Sequence, residues 1–186
     1  MPRLFTGIYL PDNIRQHLML IKSGLTGARW ISPENYHITL RFAGDLENRK
    51  AHEFANALET VACEPFSIRL KGIGSFGGNK PNTVWADIEG QDELRQLQRS
   101  HEQIARSVGL PPESRNYTPH VTIARLQRGK VNEVAQFLES FGDFSTDWFE
   151  VNSFILYSAR PNRGGGPYVI EESYPMELES MEDYYE

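Results

Sequence analysis

A chain of 186 residues, 39% of them hydrophobic, can bury one core, or two small lobes sharing an interface, and is too short for two ordinary domains. Its net charge of −6 argues against broad contact with a long phosphate backbone, which needs many Lys and Arg, but five acids (Glu177, Glu179, Glu182, Asp183, Glu186) lie in a base-free end segment and leave the rest near neutral. The lone Cys63 excludes an intramolecular disulfide, a cysteine zinc cluster and an iron–sulfur site, and with no run of 18 apolar residues and no leader-like start the chain is expected to be soluble, cytoplasmic and free of membrane contact.

From the start, Leu4, Thr6, Ile8 and Leu10 alternate with Phe5, Gly7 and Tyr9, the pattern of a strand. Pro11-Asp12 opens a helix with Ile14, Leu18, Ile21 and Leu25 on one stripe. Trp30 and Ile31 suit a short strand before the Ser32-Pro33-Glu34-Asn35 turn. In the next strand, period-two alternation puts Tyr36, Ile38, Leu40 and Phe42 on one face and His37, Thr39, Arg41 and Ala43 on the other. A second helix turns Ala51, Phe54, Ala55, Leu58, Val61 and Ala62 inward; His52 and His17 are solvated helix residues. Strands Phe66–Ile73 and Thr83–Ile88 flank the Gly74–Pro81 loop, which lacks the strand-then-helix context of a phosphate-binding loop.

A third helix, Asp92–Val108, has Leu94, Leu97, His101, Ile104, Ala105 and Val108 on its core side, which makes His101 structural. Beyond Gly109–Pro112, a second histidine strand sets Val121 and Ile123 against His120, Thr122 and Ala124. A short helix then carries Val131, Val134, Ala135, Leu138 and Phe141 inward, and strands at Trp148–Ser158 and Tyr168–Glu172 close the chain around the basic Arg160–Gly166 loop. Directly successive strands outnumbering helices predict an α+β fold: two pseudo-symmetric lobes of antiparallel sheet, one from each half of the chain, with helices packed outside and a cleft between. Residues 1–176 form one domain in this reading, and 177–186 a disordered acidic tail.

The organising feature is the repeated strand segment His37-Ile38-Thr39-Leu40 and His120-Val121-Thr122-Ile123. With five histidines and eight threonines in the chain, two His-x-Thr pairs arise by chance roughly 2% of the time. One such pair alone is better explained as a structural histidine beside a β-branched neighbour; the repetition reverses that balance. Two imidazoles with ordinary pKa near 6.5 supply a base and an acid near neutral pH, and threonine hydroxyls donate to an anion without adding charge. The set suits displacement at phosphorus, with one histidine activating water and the other protonating the leaving oxygen. Zinc chemistry has no His-Glu-x-x-His or cysteine pair to rest on, and no Gly-x-Ser-x-Gly turn accompanies the histidines.

On these residues the chain resembles the 2H phosphoesterases, and its flanks resemble their RNA 2′,3′-cyclic phosphodiesterase branch, formerly called 2′-5′ RNA ligase. The flanks are Arg3-Leu4-Phe5 through Leu10-Pro11, Tyr36 to Phe42, Thr83 to Ala86, Thr118 to Arg125, Leu156-Tyr157-Ser158 and Gly166-Pro167-Tyr168. The resemblance implies hydrolysis of 2′,3′-cyclic phosphates on RNA ends or small cyclic nucleotides to 2′-phosphates; no metal or cofactor is expected, and the chain is expected to be a monomer. It further implies that His37 is the proton donor, His120 the proton acceptor, and Thr39 and Thr122 the phosphate ligands; the motifs themselves are too symmetric to set that polarity. Arg125 matches a family arginine able to neutralise phosphate, yet alternation puts it on the Val121 and Ile123 face unless the strand bulges. Phe76, Trp85 and Tyr168 are candidates for stacking on a base, against a core role. Cleavage or joining of 2′-5′ linkages, or RNA-end binding without catalysis, are the alternatives.

Overall fold

The computed structural model describes residues 1–160 and 166–177. Nine strands and four helices alternate along it: β1 (Arg3–Tyr9), α1 (Asp12–Met19), β2 (Arg29–Trp30), β3 (His37–Asp45), α2 (Asn48–Leu58), β4 (Phe66–Phe76), β5 (Thr83–Glu89), α3 (Gln91–Ser107), β6 (Val121–Arg125), α4 (Val131–Ser140), β7 (Phe149–Val151), β8 (Ser153–Ala159) and β9 (Tyr168–Pro175). Every strand pairing is antiparallel. The order across the sheet is β7-β4-β5-β6-β3-β1-β8-β9, with β2 also on β6.

Two groups of four strands, β7-β4-β5-β6 and β3-β1-β8-β9, meet where the motif strands touch, at the pair Ile38 and Val121. These groups are the expected lobes, but they are not the two halves of the chain. The run from Trp148 to Ser158 breaks at Asn152: β7 pairs with β4 in one lobe, and β8 crosses to pair with β1 in the other. The break is fixed by pairing partners distant in sequence, so local alternation does not reveal it.

The motif strands depart from strict alternation at matching places. Thr6 lies opposite Arg41 but Gly7 opposite Thr39, so Leu40 is an extra residue in β3. Val84 faces Ala124 but Trp85 faces Thr122, so Ile123 is extra in β6. Each bulge directly follows the motif threonine and inverts the facing of what comes after. Arg41 therefore leaves the face of His37 and Thr39. Its guanidinium is buried against α3, bonding Glu102 at 2.5 Å and the carbonyls of Pro111 and Phe42. Phe42 takes the opposite course and stands 44% exposed on the histidine side, stacked on Phe5.

α3 packs across the back of the lobe containing β1 and β3. Its Leu94, Leu97, His101 and Ala105 are buried as the helical period requires, and His101 is bonded at 2.8 Å to Thr6 in β1. The three other helices end earlier or turn differently than their apolar spacing predicts. α1 stops at Met19; Ile21 and Leu25 are still buried, Ile21 in the tight turns that follow the helix and Leu25 directly after Gly24 (φ 76°). Val61 and Ala62 likewise lie beyond α2, which ends at Leu58. In α4 the inward stripe centres on Phe137, packed on Trp30 and Phe141, and leaves Val131 and Ala135 exposed. Five residues of the basic loop, 161–165, and the tail beyond Glu177 lie outside the described residues.

Candidate active site

His37, Thr39, His120, Thr122 and Arg125 line one cleft of about 340 Å³ where the lobes meet. Antiparallel pairing about Ile38 and Val121 sets the two motifs head to tail, so each histidine stands across from the other strand's threonine in the register. The bulge at Ile123 is what admits Arg125: without it, the guanidinium would leave by the opposite face.

Both rings are held in the same way. His37 Nδ1 donates to the Asn35 carbonyl at 2.8 Å, and His120 Nδ1 donates to the Thr118 carbonyl at 2.6 Å. A carbonyl only accepts, so Nδ1 carries the hydrogen in each ring and Nε2 is the nitrogen left to exchange a proton. His37 Nε2 stands 3.0 Å from Thr39 Oγ1. The threonine hydroxyl can donate to the neutral ring or, turned outward, to a bound oxyanion.

Burial lowers the His37 pKa to about 4, opposed by its Asn35 bond and reinforced by the positive charges of His120 and Arg125. His120 is also lowered, again chiefly by burial; Thr118 and Asp87 oppose the shift and Arg125 adds to it. Both rings are therefore neutral at pH 7 in the free protein. Aromatic rings supply the low-dielectric walls. Phe5, Tyr157 and Tyr168 surround His37 at centroid distances of 5.0, 5.7 and 5.0 Å. Phe76 and Trp85 pack on His120 at 5.0 and 5.7 Å. Of the three candidates for base stacking, only Tyr168 lines the cleft itself; Phe76 and Trp85 pack on each other and on the histidine.

Phe42 and Asn35 line the cleft without having been singled out in sequence. The bulge hides the first, because alternation assigns it to the other face. The second was legible only as a turn residue. A larger groove of about 1000 Å³ between α2, α3 and the end of β9 bears Glu59, Glu64, Glu93 and Glu172 and no motif residue, the wrong charge for phosphate. Among the described residues, no three His, Cys, Asp or Glu side chains converge as metal ligands, and no helix is long and apolar enough to cross a membrane.

A family model, described as the 2′-5′ RNA ligase superfamily, matches residues 12–162. The chain belongs to that superfamily. Two relatives named RNA 2′,3′-cyclic phosphodiesterase illustrate the relationship. The Aeropyrum pernix protein is 34% identical over 141 residues, covering 74% of this chain and 80% of its own. The Aquifex aeolicus protein is 30% identical over 181 residues, covering 92% and 96%. The superfamily fold is shared with E. coli LigT complexed with 3′-AMP, at TM-score 0.75 and 21% identity, over 96% of this chain and 100% of LigT. A Thermus thermophilus protein aligns at TM-score 0.77 and 21% identity, over 94% and 97%.

Proposed function

We propose that this chain hydrolyses 2′,3′-cyclic phosphates at RNA or nucleotide ends to 2′-phosphates, without a metal, using His120 as general base and His37 as general acid. The observation that carries the reading is the pair of Nε2 atoms turned into one cleft beside two threonine hydroxyls and a guanidinium. The relatives named RNA 2′,3′-cyclic phosphodiesterase support the substrate class. Binding alone would not require two groups able to exchange protons, which favours catalysis over a binding module.

In the proposed step, His120 Nε2 takes a proton from water as its oxygen attacks phosphorus. The bond from phosphorus to O3′ breaks, and His37 Nε2–H protonates O3′, leaving the phosphate on O2′. Thr39, Thr122 and Arg125 hold the non-bridging oxygens as charge builds on them. His37 must carry a proton beforehand, although its pKa in the free protein is only about 4. The anionic substrate supplies the missing stabilisation: in the same low-dielectric pocket that disfavours an isolated imidazolium, an adjacent phosphate favours it.

The deciding experiment is turnover of a nucleoside 2′,3′-cyclic phosphate in excess chelator, with the product identified by phosphorus NMR. The 2′-phosphate is the expected product. A 3′-phosphate would reverse the roles of His37 and His120, and an absolute metal requirement would end the metal-free mechanism.

A further inference from the structure

Asn35 is a buried amide on the wall of the cleft, two residues before His37. It closes the short 3₁₀ turn Pro33–Asn35, with its N–H on the Ser32 carbonyl at 2.8 Å. Its main-chain carbonyl accepts a hydrogen bond from His37 Nδ1–H. Its side chain faces a different part of the molecule. Oδ1 accepts the Tyr168 backbone N–H at 3.2 Å. The Gly166 backbone lies so close to the carboxamide that a Cβ there would sit 2.4 Å from Nδ2 and 2.5 Å from Cγ. Gly166 also has φ 102°, which side chains rarely tolerate. Tyr168, held by this bond, sets its ring edge-on to His37, at 5.0 Å and 84°, and to Phe5, at 5.1 Å and 78°.

One residue thus joins two walls that are distant in sequence. Its backbone orients the His37 ring; its side chain fixes the Gly166–Tyr168 segment that covers that ring. We infer that Asn35 is a positioning residue, whose carboxamide holds the start of β9 against His37 and so sets both the shape of the cleft beside the substrate and the shielding of the imidazole from water. The inference rests on the phosphodiesterase reading for its kinetic consequence, but not for its consequence on His37.

Asn35→Ala removes the carboxamide and leaves the backbone carbonyl, so the Nδ1 bond survives while Tyr168 is released. The expected result is a KM for a nucleoside 2′,3′-cyclic phosphate raised about tenfold with kcat changed less than about threefold. The His37 ring, followed by proton NMR in the free protein, should titrate at higher pH as its shielding falls, moving from about 4 toward the ordinary 6.5. Gly166→Ala, which drives a methyl into the same carboxamide from the other side, should reproduce both effects.

Unchanged KM and an unchanged His37 titration in both alanine variants would overturn the inference, whatever happens to melting temperature. Should Asn35→Ala not fold, Gly166→Ala carries the same two readouts. If the wild-type protein does not hydrolyse cyclic phosphates, the functional reading fails, and the His37 titration still decides the role of Asn35.

Discussion

At the scale of single residues, the two histidines are held by the same arrangement built twice: Nδ1 is tied to the carbonyl two positions earlier, which makes Nε2 the exchangeable nitrogen. Replacing either His37 or His120 by Ala should lower kcat for a cyclic phosphate by about 10²–10⁴-fold with the fold retained, as circular dichroism would show; full activity in either variant would remove it from the mechanism. Thr39→Val and Thr122→Val each delete one donor to the phosphate at nearly constant volume, and should cost about 10- to 100-fold in kcat/KM. The pH dependence follows from burial. Both histidine pKa values lie below 6.5, and in the proposed mechanism the reactive form carries one proton on the pair. Above both values that form becomes rarer, so kcat/KM should peak below pH 6.5 and fall about tenfold per pH unit on the alkaline side. A maximum at or above pH 7.5 would contradict the assignment.

At the scale of elements, the bulges decide which side chains the cleft receives. His37, Thr39, His120 and Thr122 precede them, so alternation alone places these four correctly. Arg41, Phe42 and Arg125 follow them, and each lands on the face opposite to the one alternation gives. Arg41 is only 6% exposed, and its guanidinium is compensated by Glu102 of α3 and by two carbonyls on the far side of the sheet from the cleft. Glu102→Gln leaves that charge underpaired and should cost about 3 kcal/mol in urea unfolding, while kcat stays near wild type. Loss of activity without loss of stability would show that the helix side and the cleft side of β3 are coupled. Arg125→Lys, by contrast, should behave much like Arg125→Ala in an assay of KM, because a point charge on a flexible stem does not reproduce a planar fork.

For the whole molecule, the same burial that tunes the site makes the fold acid-sensitive. His101 is fully buried, bonded through Nδ1 to Thr6 and packed on Phe154, and burial lowers its pKa to about 3. The unfolded chain, with an ordinary pKa near 6.5, binds the proton first as pH falls. Stability is therefore full above pH 6.5 and is lost progressively toward pH 3, by up to a few kcal/mol in order of magnitude. Urea midpoints at pH 7 and pH 5 measure this directly. His101→Gln, able to keep a bond to Thr6, should flatten the dependence; an unchanged slope would assign it to the other buried groups, His37 foremost.

The amino-acid sequence by itself determined the local features: the strand and helix types, the buried faces of the long α3, the structural role of His101, and the two His-x-Thr pairs, since neighbours two apart in a strand share a face wherever the strand lies. Only the tertiary structure decided that β8 crosses to the lobe of β1, that Leu40 and Ile123 bulge, and that Asn35 meets Gly166 and Tyr168. Those outcomes depend on cross-strand register and on contacts between distant segments, such as Tyr168 and Asn35, 133 positions apart, and an extra residue in a strand is defined only by the partner it fails to match.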